Sequence, residues 1–390
     1  MRHLAIPDLE PPVSDKRPVD TPALAILSID LAAIAANYRM LAAKVAPAEC
    51  AGVVKADAYG LGVAKVAPAL WQAGCRTFFV AMLAEGLALR DLLPDATIYV
   101  LDGLHGADPA AFIDARLRPV LVSRAEVDSW LAAANDTPVA RAGLHLDTGM
   151  ARLGMPPDEL DGLIAEGGRL KRLRPSLVMS HFACADTPAH PLNREQPQRF
   201  RDALARLALQ SDATRSMAAS SGIFLGADQA FDLVRPGAAL YGIAPVADEP
   251  NPMRQVVRLQ ARVLQVRRVD AGSTVGYGAT HRFDRPAWLA TVGVGYADGF
   301  MRALSNRGAA YLEGRRLPIV GRVSMDLTIL DISDLPEGSV RPGMLIDLIG
   351  RHNPVDAVAA DAGTIGYEIL TSLGRRYYRR YLDSGAAATQ

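Results

Sequence analysis

The sequence predicts an α/β chain: a (β/α)8 barrel of the TIM type followed by a mainly antiparallel β domain. Three observations predict it. Short apolar runs alternate with helical patterns from residue 24 to 250. After Pro252 the rhythm changes to apolar–polar alternation broken by Gly and Pro. The 390 residues, 50% of them apolar, suit two domains or one large barrel with an appendage.

Residues 24–29 read as a strand, and Asp30 caps a helix in which Leu31, Ile34, Tyr38 and Leu41 recur at helical spacing. Strand-like runs at 51–55, 77–80, 97–101, 118–122, 140–146 and 175–181 are each followed by a helix. Those helices lie at 64–72, up to Arg90, and at 109–115, 126–134, 158–166 and 196–208. Short strands near 216–219 and 231–235 close the series. Eight or so such units favour a closed barrel over an open sheet. The open sheet stays an alternative, since the nearest dinucleotide fingerprint, GVGYADG over 293–299, has one residue too many and lies in the wrong region. Beyond Pro252, strands are predicted at 258–269, 288–294, 317–320, 326–332 and 344–349, and a return to helix over 364–381. The expected organisation is a loose arm (1–21), the barrel (22–252), the β domain (253–384) and a short tail (385–390).

Composition narrows the function. Forty-two basic residues balance 42 acidic ones, so the chain lacks the basic excess that nucleic-acid binding needs. No apolar run approaches a bilayer span, so no membrane role is expected. The three cysteines, Cys50, Cys75 and Cys184, are far apart, and neither they nor the seven histidines fall at metal-ligand spacing. The arm lacks the apolar stretch of a signal peptide, and a reducing cytoplasm is the expected compartment.

In such a barrel, functional groups gather at the carboxyl ends of the strands. Lys55, residues 147–152, His181, Ser220, Ser221 and Arg235 all stand there. A lysine ending a buried strand loses hydration, which favours the neutral, nucleophilic amine, or else snorkels to the rim as a plain surface charge. The turn YGLG that follows Lys55 favours the first reading. SSG over 220–222 and RPGA over 235–238 join strand ends to glycine turns, as a phosphate cradle would, although Pro236-Gly237 alone is an ordinary turn. His181 is either a satisfied core histidine or a hydrogen-bonded partner of Arg235. In the second domain Tyr277 sits between two glycines; a phenol there is a packed turn residue, or a base if neighbouring positive charge lowers its pKa.

The run VKADAYGLG over 54–62 resembles the cofactor-attachment segment of the bacterial, pyridoxal-phosphate-dependent alanine racemases. Seven further motifs agree in order along nearly the whole chain: LDTGMARLG (146–154), SHFA (180–183), VRPG (234–237), GYGAT (276–280), GYADG (295–299), SMD (324–326) and TIGYE (364–368). The resemblance implies that Lys55 carries pyridoxal phosphate, that Tyr59, Ser221, Gly237, Ala238 and Tyr367 hold its phosphate, and that Arg235 faces its ring nitrogen with His181 behind. It implies that Arg152 and Met325 bind the substrate. It implies a homodimer in which Tyr277 and Met325 reach the other subunit's site. The implied reaction is the interconversion of L- and D-alanine, with Lys55 and Tyr277 as bases on opposite faces of the cofactor-bound substrate, and its use is D-alanine supply for peptidoglycan or alanine catabolism. A broad-specificity or serine racemase and a non-catalytic pyridoxal-phosphate-binding protein are the alternatives. A decarboxylase of the same architecture is disfavoured by Arg235, where such enzymes recruit a carboxylate. Three departures from the family pattern stand out: His145 in place of a carbamylated lysine that braces the arginine matching Arg152, Met217 in place of a histidine, and Ser220 in place of an asparagine.

Overall fold

The computed structural model describes residues 23–134, 140–207 and 213–383; the arm and tail, and Ala208 at the end of one predicted helix, lie outside the described residues. Eight parallel strands form a barrel. Glu49–Cys50 and Gly52–Val53 make one interrupted strand that pairs with Leu233–Val234 on one side and Thr77–Val80 on the other. Thr97–Val100, Arg118–Leu121, Gly143–His145, Leu177–Met179 and Thr214–Ser216 continue the sheet in sequence order. Asp232 N donates to Arg215 O (3.0 Å) and Arg235 N to Ala218 O (2.9 Å), which closes the ring between its last two strands. Strands such as Thr77–Val80 are buried on both faces, which explains their unbroken apolar runs.

The second domain is a mainly antiparallel sheet built on the 13-residue strand Val257–Val269, which pairs with Leu345–Ile349 and Ala287–Val292. Two assignments are corrected here. The strand Ala25–Asp30 is not a barrel strand: it runs antiparallel to Val257–Val269 and parallel to Tyr378–Leu382. Its apolar alternation is the same as a barrel strand's, and only long-range pairing separates the two. The predicted helix over 364–381 stops at Ser372, and Tyr378–Leu382 is a strand. Gly374 N is drawn to Asp298 O (2.9 Å), which ends the helical run, and the aromatic-rich segment beyond it pairs at the sheet edge. Helices Gly168–Leu173 and Val355–Ala362 were not predicted.

The edge strand Tyr378–Leu382 also reaches the barrel. Arg379 Nη1 donates to Gly60 O (2.6 Å) and Tyr381 Oη to Leu61 O (3.0 Å), so the second domain grips the loop after Lys55. Among the described residues no helix is long and apolar enough to cross a membrane.

Candidate active site

Lys55 follows the first barrel strand, with Val54 N bonded to Phe79 O (2.9 Å) on the neighbouring strand. The four residues after it, Ala56, Asp57, Ala58 and Tyr59, all lie in the left-handed region, with φ between 53° and 56°. Non-glycine residues resist this by roughly 1–2 kcal/mol each, so the surroundings must hold the turn. They do: Ala56 N donates to Glu85 Oε1 (2.7 Å), Val63 N to Asp57 Oδ1 (2.7 Å), and Gly60 N to Ala56 O (2.7 Å). The turn folds Tyr59 back over the barrel, where its ring lies 4.8 Å from that of Tyr241 and 6.1 Å from that of Tyr367.

The glycine turns converge on that tyrosine. Ser220 Oγ accepts from Gly237 N (3.0 Å) and Ala239 N (3.1 Å), tying the turns at 220 and 237 together. A Cβ on Gly237 would press on Tyr59 Oη, so a side chain there would have to push the phenol aside. Short 3-10 turns begin at Ser221 and Ala238, each leaving its first N–H groups without partners inside the turn. Burial raises the pKa of the Tyr367 phenol, and the neighbouring Ser221 hydroxyl opposes that shift. Tyr59, Ser221, Gly237, Ala238 and Tyr367 thus form one cluster of hydroxyls and turn amides, a donor set suited to a phosphate dianion.

Arg235 ends the last barrel strand and is only 3% exposed. Its guanidinium donates to Ser216 Oγ, Ser180 O and Met217 O, lies 3.3 Å from His181 Nδ1 and stacks over the Phe79 ring. None of these partners is a carboxylate, and burial lowers the pKa of the group to about 9. His181 is held neutral, its pKa pushed well below the usual value by burial and then by Arg235. With Arg235 as donor, its Nδ1 accepts and the ring proton sits on Nε2. Burial likewise lowers His145 to about 4, with Arg235 and Arg152 adding to the effect. Lys55 is also shifted down, first by burial and then by Arg152, with Asp102 and Glu85 opposing. A lysine so placed is readily neutral and nucleophilic.

Arg152 follows an Asp-anchored turn in which Asp147 Oδ1 accepts from Gly149 N (2.8 Å) and Met150 N (3.0 Å). Its side chain is exposed and makes no hydrogen bond or ion pair among the described residues. Among the described residues the His145 ring makes no hydrogen bond to Arg152, and burial keeps it neutral. Tyr277 and Met325 stand apart from this cluster. Both are on the β domain, 72% and 54% exposed, and among the described residues no hydrogen bond or ring contact joins either to the barrel-top residues.

The comparisons with known proteins decide what this arrangement belongs to. The family model described as alanine racemase, N-terminal domain, matches residues 29–245, and that for the alanine racemase C-terminal domain matches residues 256–381. The chain belongs to the alanine racemase family. A relative from Rhodospirillum rubrum named alanine racemase is 53% identical over 362 residues, covering 92% of this chain and 96% of its own. One from Mesorhizobium japonicum, named alanine racemase, catabolic, is 51% identical over 92% of this chain and 93% of its own. The alanine racemase of Bartonella henselae, solved with covalently bound pyridoxal phosphate, superposes with a TM-score of 0.88 at 45% identity, over 93% of this chain and all of that one.

In this alanine racemase family member, sequence reasoning missed Glu85, Asp102, Ser180 and Ser216, which surround Lys55 and Arg235. Glu85 had a readable signal: an acid at the third position of a helix just after a strand. Ser180 and Ser216 act through barrel geometry that no local pattern displays.

Stability should carry the mark of the buried imidazoles. An unfolded His145 takes up its proton near pH 6.5 and the folded one only near 4. Between those values the unfolded chain binds more protons, so stability is complete above about pH 6.5 and falls as pH drops towards 4, by about 3 kcal/mol for this residue. His181 acts in the same direction. Denaturant melts of the wild type and His145→Gln between pH 7 and about 4 should show a shallower loss in the variant.

Proposed function

We propose that this chain interconverts L-alanine and D-alanine with pyridoxal phosphate bound covalently to Lys55. The observation that carries the reading is a partly buried lysine of lowered pKa whose following left-handed turn places Tyr59 in a cluster of hydroxyls and turn amides able to hold a phosphate. Bound there, the cofactor supplies a conjugated electron-poor ring that stabilises negative charge at the substrate Cα. Tyr59, Ser221, Tyr367 and the amide at Ala238 bind the phosphate, while Gly237, whose own N–H goes to Ser220 Oγ, allows the close approach of Tyr59. Arg235 would stand at the ring nitrogen; a guanidinium does not readily release a proton, so it would donate a hydrogen bond there and leave that nitrogen unprotonated. His181, neutral, accepts from Arg235 and fixes its orientation. Arg152 holds the substrate carboxylate, and Met325 of a second subunit helps to bind it.

Inversion needs a proton taken from one face of Cα and returned on the other, which two bases on opposite faces achieve. Lys55 serves the D-face and the Tyr277 phenol of the other subunit the L-face, in a head-to-tail homodimer. Support for the dimer is the exposure of Tyr277, Met325 and Tyr296 on the β domain (72%, 54% and 43%), the last two on loops joined to each other by hydrogen bonds. The three cysteines are free, as suits a reducing cytoplasm, where the reaction feeds D-alanine to peptidoglycan or catabolises alanine.

The test is loss of optical rotation from L-alanine. The wild type should racemise it, and Tyr277→Phe should be slower by roughly 10²–10⁴-fold while keeping the cofactor's visible absorption band. No turnover by the wild type would leave a cofactor-binding module. Gly237→Ala should weaken cofactor retention on dialysis, because the new methyl displaces the Tyr59 hydroxyl; full retention would remove Gly237 from the phosphate site.

A further inference from the structure

Three glutamates occupy the third position of barrel helices: Glu85 in Leu83–Leu92, Glu126 in Arg124–Ala134 and Glu159 in Pro157–Ala165. Each reaches main-chain N–H groups at neighbouring strand ends. Glu126 accepts from Leu104 N (2.9 Å) and His105 N (3.1 Å) through one oxygen and from Val122 N (3.0 Å) through the other. Glu159 accepts from Arg124 N (2.7 Å). Carboxylates in the first turns of these three helices thus lace adjoining loops along part of the barrel rim, where the positive helix end also favours them.

Glu85 laces the loop that matters most. Its Oε1 accepts from Ala56 N (2.7 Å), the residue after Lys55, and its Oε2 from Ala81 N (2.8 Å) and Met82 N (3.4 Å), after the next barrel strand. Ala56 opens the left-handed run, so its N–H is the point at which the chain leaves the strand direction. We propose that Glu85 is a positioning residue for Lys55: it pins the left-handed turn to the neighbouring strand end and so fixes where the Lys55 amine points. The proposal rests on Lys55 being the cofactor lysine.

A second effect follows from the same placement. Burial and then Arg152 push Lys55 towards its neutral form, Asp102 and Glu85 favour its charged form, and neutral His181 faces the same space. Removing the Glu85 charge takes away one of the two groups that oppose Arg152. Glu126, which makes bonds of the same kind, is not among the charges acting on Lys55 and serves as the control.

Glu85→Gln, Glu85→Asp and Glu126→Gln are compared as full-length holoenzymes. In Glu85→Gln, hydrogen exchange should speed up at Ala56, Ala81 and Met82, and kcat should fall by roughly ten- to a hundredfold with little change in KM, as a misplaced group would cause. The acidic limb of the kcat profile for D-alanine, where Lys55 is the base, should move to lower pH. Glu85→Asp keeps the charge but not the reach, so it should restore the limb and not the rate. Glu126→Gln should loosen its own loops and leave the limb in place. A wild-type rate and limb in Glu85→Gln overturns the proposal, as does an equal displacement of the limb by Glu126→Gln. If Lys55→Ala kept both the visible band and activity, the assignment of the cofactor lysine would fall instead, whatever Glu85→Gln does.

Discussion

Lys55→Ala and Tyr277→Phe chains, each nearly inactive alone, should recover about a quarter of the wild-type rate when mixed and allowed to exchange subunits. In the proposed dimer each site takes its lysine from one chain and its tyrosine from the other. A mixed dimer then holds one site with both residues replaced and one with both intact. Random exchange makes half of the dimers mixed, and each has one working site of two. If both bases came from one chain, every site in the mixture would carry one lesion and nothing would be regained.

The local structure makes the shared arrangement mechanically reasonable. Arg376 bonds Asp298 (3.0 Å) and Asp326 (2.8 Å), joining the loops that carry Tyr296 and Met325. Tyr296 N donates to Ser324 O (3.0 Å) and Ala297 N to Met325 O (2.9 Å), so these tips are held before any partner arrives. Gly299, with φ +86°, packs where a Cβ would strike Ser372 O, so the brace tolerates no side chain there. A rigid face of apolar and phenolic tips loses little conformational freedom on docking. Activity that rises with protein concentration in the mixture, at a fixed ratio of the two variants, would be the accompanying sign of exchange.

The barrel was legible in the sequence because its strands are buried on both faces and therefore read as unbroken apolar runs, with Lys55, His181 and Arg235 as polar interruptions at their ends. The cluster of Tyr59, Ser221 and Gly237 was legible because glycine turns announce close approach, here of Gly237 to Tyr59. Two things were not. Ala25–Asp30 has a strand's alternation in either domain, and what puts it in the second is pairing with residues more than 200 positions away. The carbonyl and hydroxyl shell of Arg235 comes from Ser180, Ser216 and Met217 on two other strands, a coincidence of barrel register that only the closed ring creates.

That shell frames the other large expectation: Arg235 should prove far more important to turnover than to folding. Bringing its pKa from 12.5 to about 9 means that burial disfavours the charged form by about 5 kcal/mol. Its three oxygen acceptors return a similar amount, since a hydrogen bond from a charged donor contributes about 1.5–3 kcal/mol. The two effects nearly cancel, so Arg235→Met should cost at most about 4 kcal/mol and melt within several degrees of the wild type. Turnover should drop by roughly 10²–10³-fold, the usual consequence of losing a preorganised charge from a water-excluded site. Arg235→Glu separates position from charge. It places an acid where a guanidinium that keeps its protons stood, and such an acid can share a proton with the ring nitrogen. More of the substrate's negative charge then spreads away from Cα, and amino transfer to the cofactor should rise, measured as pyruvate released per alanine inverted. A Glu variant with the wild-type ratio of pyruvate to inverted alanine would mean that the residue at 235 does not govern the choice between the two fates, and the neutral ring nitrogen would need another explanation.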